Sequence, residues 1–332
     1  MPTLITSRAN SAVFSSPTKL ALLAALIGAL TLSAVPALGE NLISWSWGSG
    51  KMIRGSGNVV ERTMAVSAFD NVAVQDGIRV VLRRGATQKI LVKADDNILP
   101  LVEANIDGSR LLLRIQPNTS AQTKSGIVVT VDYTSLYALT LKDGARGDLD
   151  AAAGSTFRAV AKDGSTLTIA EASATDFELS VSDGANAAVS NASPATSATS
   201  ATSQRYKVSD GARLTVNRAT GDHLAVSVAD GASATMTAIN VAKIEVKVSD
   251  GATLNVAGIA QQQKFSLADG AAVTALRLQG NSAQVRAIDG STLKLGIVKT
   301  LNADVQDGSS LHYSGDPVVT VNSRDAASVK KI

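Results

Sequence analysis

Val246–Val256 reads VKVSDGATLNV, and much of the chain repeats it. LKDGARGDL (141–149), VSDGANAAV (181–189), VADGASATM (228–236), LADGAAVTA (267–275) and VQDGSSLHY (305–313) carry the same Asp-Gly between alternating apolar residues. The aspartates of these pairs stand at Asp76, Asp143, Asp163, Asp183, Asp210, Asp230, Asp250, Asp269, Asp289 and Asp307. From Asp143 the steps are 20, 20, 27, 20, 20, 19, 20 and 18 residues, and a further 18 reaches Asp325, where DAAS closes the series. A fixed period means one supersecondary unit stacked many times.

The flanks define that unit. Two and four residues before the Asp stand apolar pairs such as Leu141 and Leu139, Val248 and Val246, or Leu267 and Phe265. Six residues after it stand Leu149, Ile169, Val189, Val216, Met236 and Val256. Apolar residues at every second position mark strands with one buried face. Each unit is therefore a strand, an Asp-Gly corner, a second strand and a looser return. About 20 residues is too few for a crossover helix but suits one coil of a β-solenoid, its neighbours ~4.8 Å away. The expected fold is all-β: a single-stranded parallel β-helix, right-handed by the rule for parallel connections. Nine or ten coils would make a rod of roughly 45 Å.

A meander of antiparallel hairpins is the rival, because Asp-Gly is a favoured hairpin turn. Two features oppose it. The corners are all alike, whereas a meander turns at both ends in alternating environments. The second residue after the Asp is also always Ala or Ser from Asp143 onward, which points to one crowded corner. There Gly supplies a positive φ, and the Asp carboxylate is expected to accept backbone N–H groups across the turn. Carboxylates stacked ~4.8 Å apart repel by about 0.9 kcal/mol per pair even at water's dielectric. Turn hydrogen bonds, bound metal ions or the cations Lys142, Lys162, Lys207, Lys247 and Arg286 must offset this.

The composition agrees with thin, regular layers: 45% of residues are hydrophobic but 3% are aromatic. Cysteine is absent, so disulfides and thiolate metal sites are excluded. Residues 1–39 read as a signal peptide. Arg8 and Lys19 precede the apolar run Leu20–Val35, and small residues at Ala37–Gly39 offer a cleavage site. The run is short for a membrane span. No cysteine follows it to carry a lipid, so the mature chain is expected to be exported with no membrane span. Cleavage takes the net charge from +3 to +1, and nucleic acid is not an expected partner.

Residues 40–60 are Gly/Ser-rich and read as a linker or opening strand. Residues 61–135 hold longer strands that form enlarged first coils, with a true hairpin at Asp107-Gly108. Residues 136–332 are the regular repeat, interrupted by the low-complexity loop 192–204, which accounts for the step of 27. The terminal SVKKI places charge where the last coil exposes a pairing edge.

GSGNVVERTMAVSAFDNVAVQDGIRVVLRRG (Gly55–Gly85) and VKADDNILPLVEANIDGSRLLLRI (Val92–Ile115) resemble the head GIN domain family, the autotransporter adhesin head domain. The later Asp-Gly repeats continue in the manner of that family's solenoid. The resemblance implies an exported β-helical protein of bacteria, often tied to the cell envelope, with an adhesive role. It carries no catalytic residues over, and it extends to the head without a translocating barrel.

Three chemistries compete. The first is a non-catalytic binding module whose flat faces meet surface polysaccharide or protein through the outward residues Ser180, Lys207, Ser227, Lys247 and Ser266. A purely structural envelope rod is its bland counterpart, since a fold does not dictate a function. The second, a polysaccharide-acting enzyme, needs clustered carboxylates or an acid beside a base. His223 and His312 are the only histidines, four to five coils apart by the repeat count, and Asp222-His223 sits in a return segment. The expected reading is therefore not an enzyme. The third is calcium at the column Asp143, Asp163, Asp183, Asp210, Asp230, Asp250, Asp269, Asp289 and Asp307. Calcium takes six to eight oxygens, and one Asp per coil supplies too few, so no cofactor is expected.

Overall fold

A computed structural model describes residues 50–193 and 202–332, all within one compact unit, Ser49–Ile332. The signal-like segment, both tryptophans and the centre of the low-complexity loop lie outside the described residues. The described chain contains strands, turns and one 3-10 turn, Leu99–Leu101.

Each repeat makes one turn of a parallel β-solenoid. The strand that leads into a corner pairs with its equivalent one coil on: Thr156–Ala161 lies on Asp176–Val181, with Val160 opposite Ser180. The strand that trails from the corner does the same, Thr166–Ala172 lying on Asn186–Ala192. No strands flanking a corner of the regular repeat pair antiparallel across it; where they do pair, as Ser203–Val208 with Arg213–Val228, they do so in parallel one coil on, which disposes of the meander. Nine coils separate Asp143 from Asp325. In the middle coils the return is itself extended, so Arg213–Val228 and Ser233–Val248 run as 16-residue strands bent around the core.

The corner is a backbone device. Both Asp and Gly have positive φ throughout, for example 54° at Asp230 and 66° at Gly231. With the bond from Ala232 N–H to the Ala229 carbonyl (3.0 Å), this is a type I′ turn. Each corner Gly N–H then donates to the corner Asp carbonyl of the next coil. Ten such bonds of 2.8–3.0 Å run from Gly77→Asp143 to Gly308→Asp325. The Ala or Ser that follows is fully buried, and Ser291 Oγ and Ser309 Oγ touch at 3.3 Å in this column.

Inside, the alternation holds. The apolar residues two and four before each corner up to Asp307 are buried, as are those six after it up to Leu295. Phe157 and Phe177 stack at 6.1 Å, and Tyr206 tilts against Phe177 at 5.7 Å. The third side of the coil is lined by Ala152, Ala172, Ala192 and Ala219 before Ile239 takes over. A core one side chain deep has room for few rings, which accounts for the low aromatic content. Gln204 enters it only because its amide donates to the Thr220 and Ala192 carbonyls and its oxygen accepts from Tyr206.

The N-terminal coils depart from sequence order. Asn71–Val74 lies between Arg110–Ile115 and Ala138–Leu141, and Arg79–Arg84 lies between Val128–Tyr133 and Arg146–Ala152. The outermost coil is therefore made of residues that come second in the chain. Antiparallel strands close this end: Lys89–Asp95 on Val128–Tyr133, Val59–Met64 on Lys89–Asp95, and Val102–Asp107 on Arg110–Ile115. The last pair turns at Asp107-Gly108, with Gly108 at φ 60°. Within the segment read as a linker, Lys51–Arg54 forms a parallel ribbon with Thr119–Gln122. At the far end, Val318–Ser323 is exposed along its whole length and uncharged. The charges of SVKKI sit on the other edge strand, Ser328–Lys331, so they blunt one edge and not both.

Candidate functional site

The aspartate column is a regular row of exposed carboxylates whose bonding differs from the sequence expectation. The turn is closed by main-chain groups, and at the regular corners the carboxylate accepts no backbone N–H. Its partners are side chains one residue earlier: Lys142 (3.4 Å), Lys162 (3.3 Å), Ser182 (2.7 Å) and Ser209 (2.6 Å). Asp76 alone reaches a backbone amide, that of Ile115 at 3.0 Å. The reason is the left-handed Asp itself, whose own φ makes the turn and frees its side chain. Of the other expected counter-ions, Lys207 turns to Glu178 at 2.9 Å, while Lys247 and Arg286 form no ion pair among the described residues.

The outward residues singled out in the sequence fall in one file on the leading sheet. Ser180, Lys207, Ser227, Lys247, Ser266, Arg286 and Asp304 stand opposite one another, coil by coil. A parallel file two residues earlier holds Glu178, Arg205, Ala225, Glu245, Lys264 and Gln284. Arg205 pairs with Asp176 (2.7 Å) and Lys243 with Glu245 (2.6 Å). The Lys207 hydrogen bond holds the Glu178 carboxyl below its usual range, and the Lys243 bond does the same for Glu245. Lys247, Lys264 and Arg286, from three successive coils of the same sheet, form no ion pair among the described residues. They border two shallow depressions of about 390 Å³ each, one over Ser266 and one over Gln262.

The trailing sheet presents a different surface. Its outward files read Thr166, Asn186, Arg213, Ser233, Thr253, Ala272 and Thr168, Ala188, Thr215, Thr235, Asn255, Thr274. Twelve positions thus hold a single charge, Arg213. A groove of about 290 Å³ opens beside Thr235, Asn255 and Leu276, where the register slips by one residue.

His223 and His312 lie on different sheets, so they do not meet. Asp222 is tied down instead: its carboxylate accepts from Thr202 N–H at 2.8 Å, and its own N–H donates to Thr202 Oγ1 at 3.0 Å. No cluster of three or more His, Asp or Glu poised for a metal occurs among the described residues.

Sequence reasoning missed a polar junction at the N-terminal end. Ser56 Oγ donates to Asp96 (2.5 Å), Asn58 Nδ2 donates to the same carboxylate (2.9 Å), and Asn97 bridges Ser56 N–H and the Arg54 carbonyl. These bonds, led by that of Ser56, hold the Asp96 carboxyl below its ordinary value. Beside it Asp95 is buried, although Ile90, Val92 and Ala94 are the inward residues of its strand. Alternation alone would put Asp95 outside. The Gly-Ser-Gly at 55–57, which lies across it, was the available signal.

The family model described as "Putative auto-transporter adhesin, head GIN domain" matches residues 68–210 and 197–317. The chain belongs to the head GIN domain family. Among solved structures, a "putative adhesin" of Parabacteroides merdae shares 14% identity over 85% of this chain and 99% of its own, with a TM-score of 0.48. A "putative adhesin" of Parabacteroides distasonis shares 16% identity over 85% and 100%, TM-score 0.45. A "putative lipid binding protein" of the same species shares 15% over 85% and 100%, TM-score 0.43. No curated protein matches. No helix among the described residues of this head GIN chain is long and apolar enough to cross a membrane.

Proposed function

We propose that this head GIN chain is an exported, non-catalytic envelope or surface protein. In this reading it is an adhesin-like module that binds through the leading face of its solenoid. One observation carries the reading: Lys247, Lys264 and Arg286 project from three successive coils, without ion pairs among the described residues and with the neutral Ser227, Ser266 and Gln284 as neighbours in their two files. Parallel coils fix the main chain that carries these cations at a repeat of ~4.8 Å, so binding has to order side chains but not backbone. A polyanionic surface polysaccharide suits such a row of cations better than a neutral one. The attraction is strongest at low salt and fades as the Debye length shrinks.

The test is retention of acidic and neutral polysaccharides, and of whole cells, by the immobilised chain. Acidic glycans should be held at low salt, and the double variant Lys247→Ala/Arg286→Ala should lose most of that retention while keeping the parent melting temperature. Absence of retention across a broad panel would leave a structural rod as the answer. Release of reducing ends from any glycan would make the protein an enzyme.

A further inference from the structure

We propose that Asp107-Gly108 is a site of spontaneous covalent modification, the conversion of aspartate to isoaspartate, and that the corner ladder shields the other ten Asp-Gly pairs from the same reaction. The chain holds eleven Asp-Gly pairs. Glycine has no Cβ to hinder attack by its own nitrogen on the carboxyl before it, so the dipeptide is intrinsically reactive. The Gly nitrogen attacks the Asp Cγ and a C–N bond forms. The amide proton and the carboxyl hydroxyl leave together as water, and a cyclic succinimide results. Water then opens the ring. Cleavage at Cγ restores aspartate, whereas cleavage at the α-carbonyl routes the main chain through Cβ and Cγ as isoaspartate. The water lost in the first step is regained in the second, and nothing is oxidised or reduced.

Exposure does not distinguish the eleven pairs, because Asp and Gly are exposed at every one of them. The state of the attacking nitrogen does. At each of the ten corners the Gly N–H donates to the Asp carbonyl of the next coil at 2.8–3.0 Å, so ring closure must first break a ladder bond. Asp107-Gly108 lies outside the ladder. Asp107 ends the strand Val102–Asp107, and Gly108 is left-handed while Ser109 is not, the pattern of a type II′ hairpin. This hairpin is fastened through the Ser109 carbonyl, which accepts from Asp70 N–H at 3.0 Å and Asn71 N–H at 3.1 Å. The Gly108 N–H and the Asp107 carboxylate make no hydrogen bond among the described residues.

The corner at Asp325 differs from the rest. Ala326 N–H makes no hydrogen bond among the described residues, so its nitrogen is as free as that of Gly108. Alone among the corners, this one has Ala in place of Gly, held at φ 58° where a Cβ is costly. The methyl group crowds the attacking nitrogen, and Asp325 is quiet for a reason its neighbours do not share. Isoaspartate adds one carbon to the main chain. At the hairpin tip this lengthens a turn; at a corner it would draw the Gly out of the ladder.

The reaction needs neither a ligand nor the leading face. The purified full chain is aged for weeks at neutral pH, folded and in denaturant, and isoaspartate is located by peptide mass spectrometry. In the folded chain Asp107 should convert at least about tenfold faster than any corner, as expected when attack at a corner must give up a hydrogen bond. In denaturant the eleven pairs should convert at similar rates. Asp107→Glu, at an exposed side chain without partners, should leave no conversion there and keep the parent melting temperature. Ala326→Gly should make Asp325 the second reactive position of the folded chain. A folded corner that keeps pace with Asp107 overturns the proposal, as does an Asp107 that stays aspartate while the unfolded chain converts. Corners that stay aspartate in denaturant would place their protection in the sequence and not in the ladder, and an unreactive Asp325 in Ala326→Gly would do the same; either result overturns it.

Discussion

The regular coils and the N-terminal coils use the same inward alternation but are held in opposite ways. Between Asp143 and Asp325 every contact that matters lies within about one repeat, and each corner copies the last. Between Gly55 and Tyr133 the chain doubles back, pairs antiparallel and ties segments about 40 residues apart, as Ser56 is tied to Asp96. A repeating stack is stabilised by its own units plus their interfaces, so damage to one coil stays near that coil. A capped end is one cooperative piece, and damage there exposes the first coil of the stack.

The two regions should differ most in how they respond to damage in the core. Phe177→Ala removes the middle ring of the Phe157–Phe177–Tyr206 group and should cost about 3–5 kcal/mol. Hydrogen exchange should rise in the coils on either side and stay flat beyond Asp269. Leu113→Ala, at the fully buried junction of the capped end, should cost about 2–5 kcal/mol. Here exchange should rise throughout residues 55–133, and a purely local rise would show that the cap is not cooperative.

The corners test the repeat more gently. Gly231→Ala forces a Cβ into φ 66° and should cost about 1–2 kcal/mol. Asp250→Asn should shift stability by less than about 0.5 kcal/mol, because Asn tolerates the same left-handed conformation. A large loss from Asp250→Asn would mean that the carboxylate does more than turn the chain.

Acid gives the smallest and most local effect. The Asp96 carboxyl lies below its ordinary value of 3.8 because Ser56 and Asn58 bond its ionised form. A depressed carboxyl stabilises the fold above its unfolded value, and that stabilisation is lost as pH falls through the folded one. Below about pH 3.8 the amide of Ser56 should therefore begin to exchange faster, while Ala232 and Ala252 at the corners keep their protection.

The regular coils were legible because two signals coincide at each repeat: a period of 2 in the flanks and a positive-φ dipeptide at a fixed spacing. Val246, Val248, Leu254 and Val256 could face nowhere but inward. The hairpin at Asp107-Gly108 was legible for the same reason. What the sequence misjudged was the Asp side chain, because Asp-Gly is compatible both with a carboxylate that caps the turn and with an Asp that is part of it. The spatial order of the first coils was hidden as well, since period 2 says which face is buried and not which strand is next door. Asp95 was hidden by the same rule, which assigns burial by phase and is blind to a segment laid across the outer face. Lys264 and Glu245 were readable as outward residues, but their file appears only when the register between coils is known.

The hydrogen bonds between coils, including the ten of the corner ladder, all lie along the stack, with donors facing both ways. A pull along the stack therefore loads them end-on and one coil at a time, as a zip is opened, and not all together in shear. Each coil that yields would release about 20 residues, or roughly 65–70 Å of extended chain against a rise of ~4.8 Å. Such a rod lengthens many-fold in small steps under tension and re-forms against a template that is still standing.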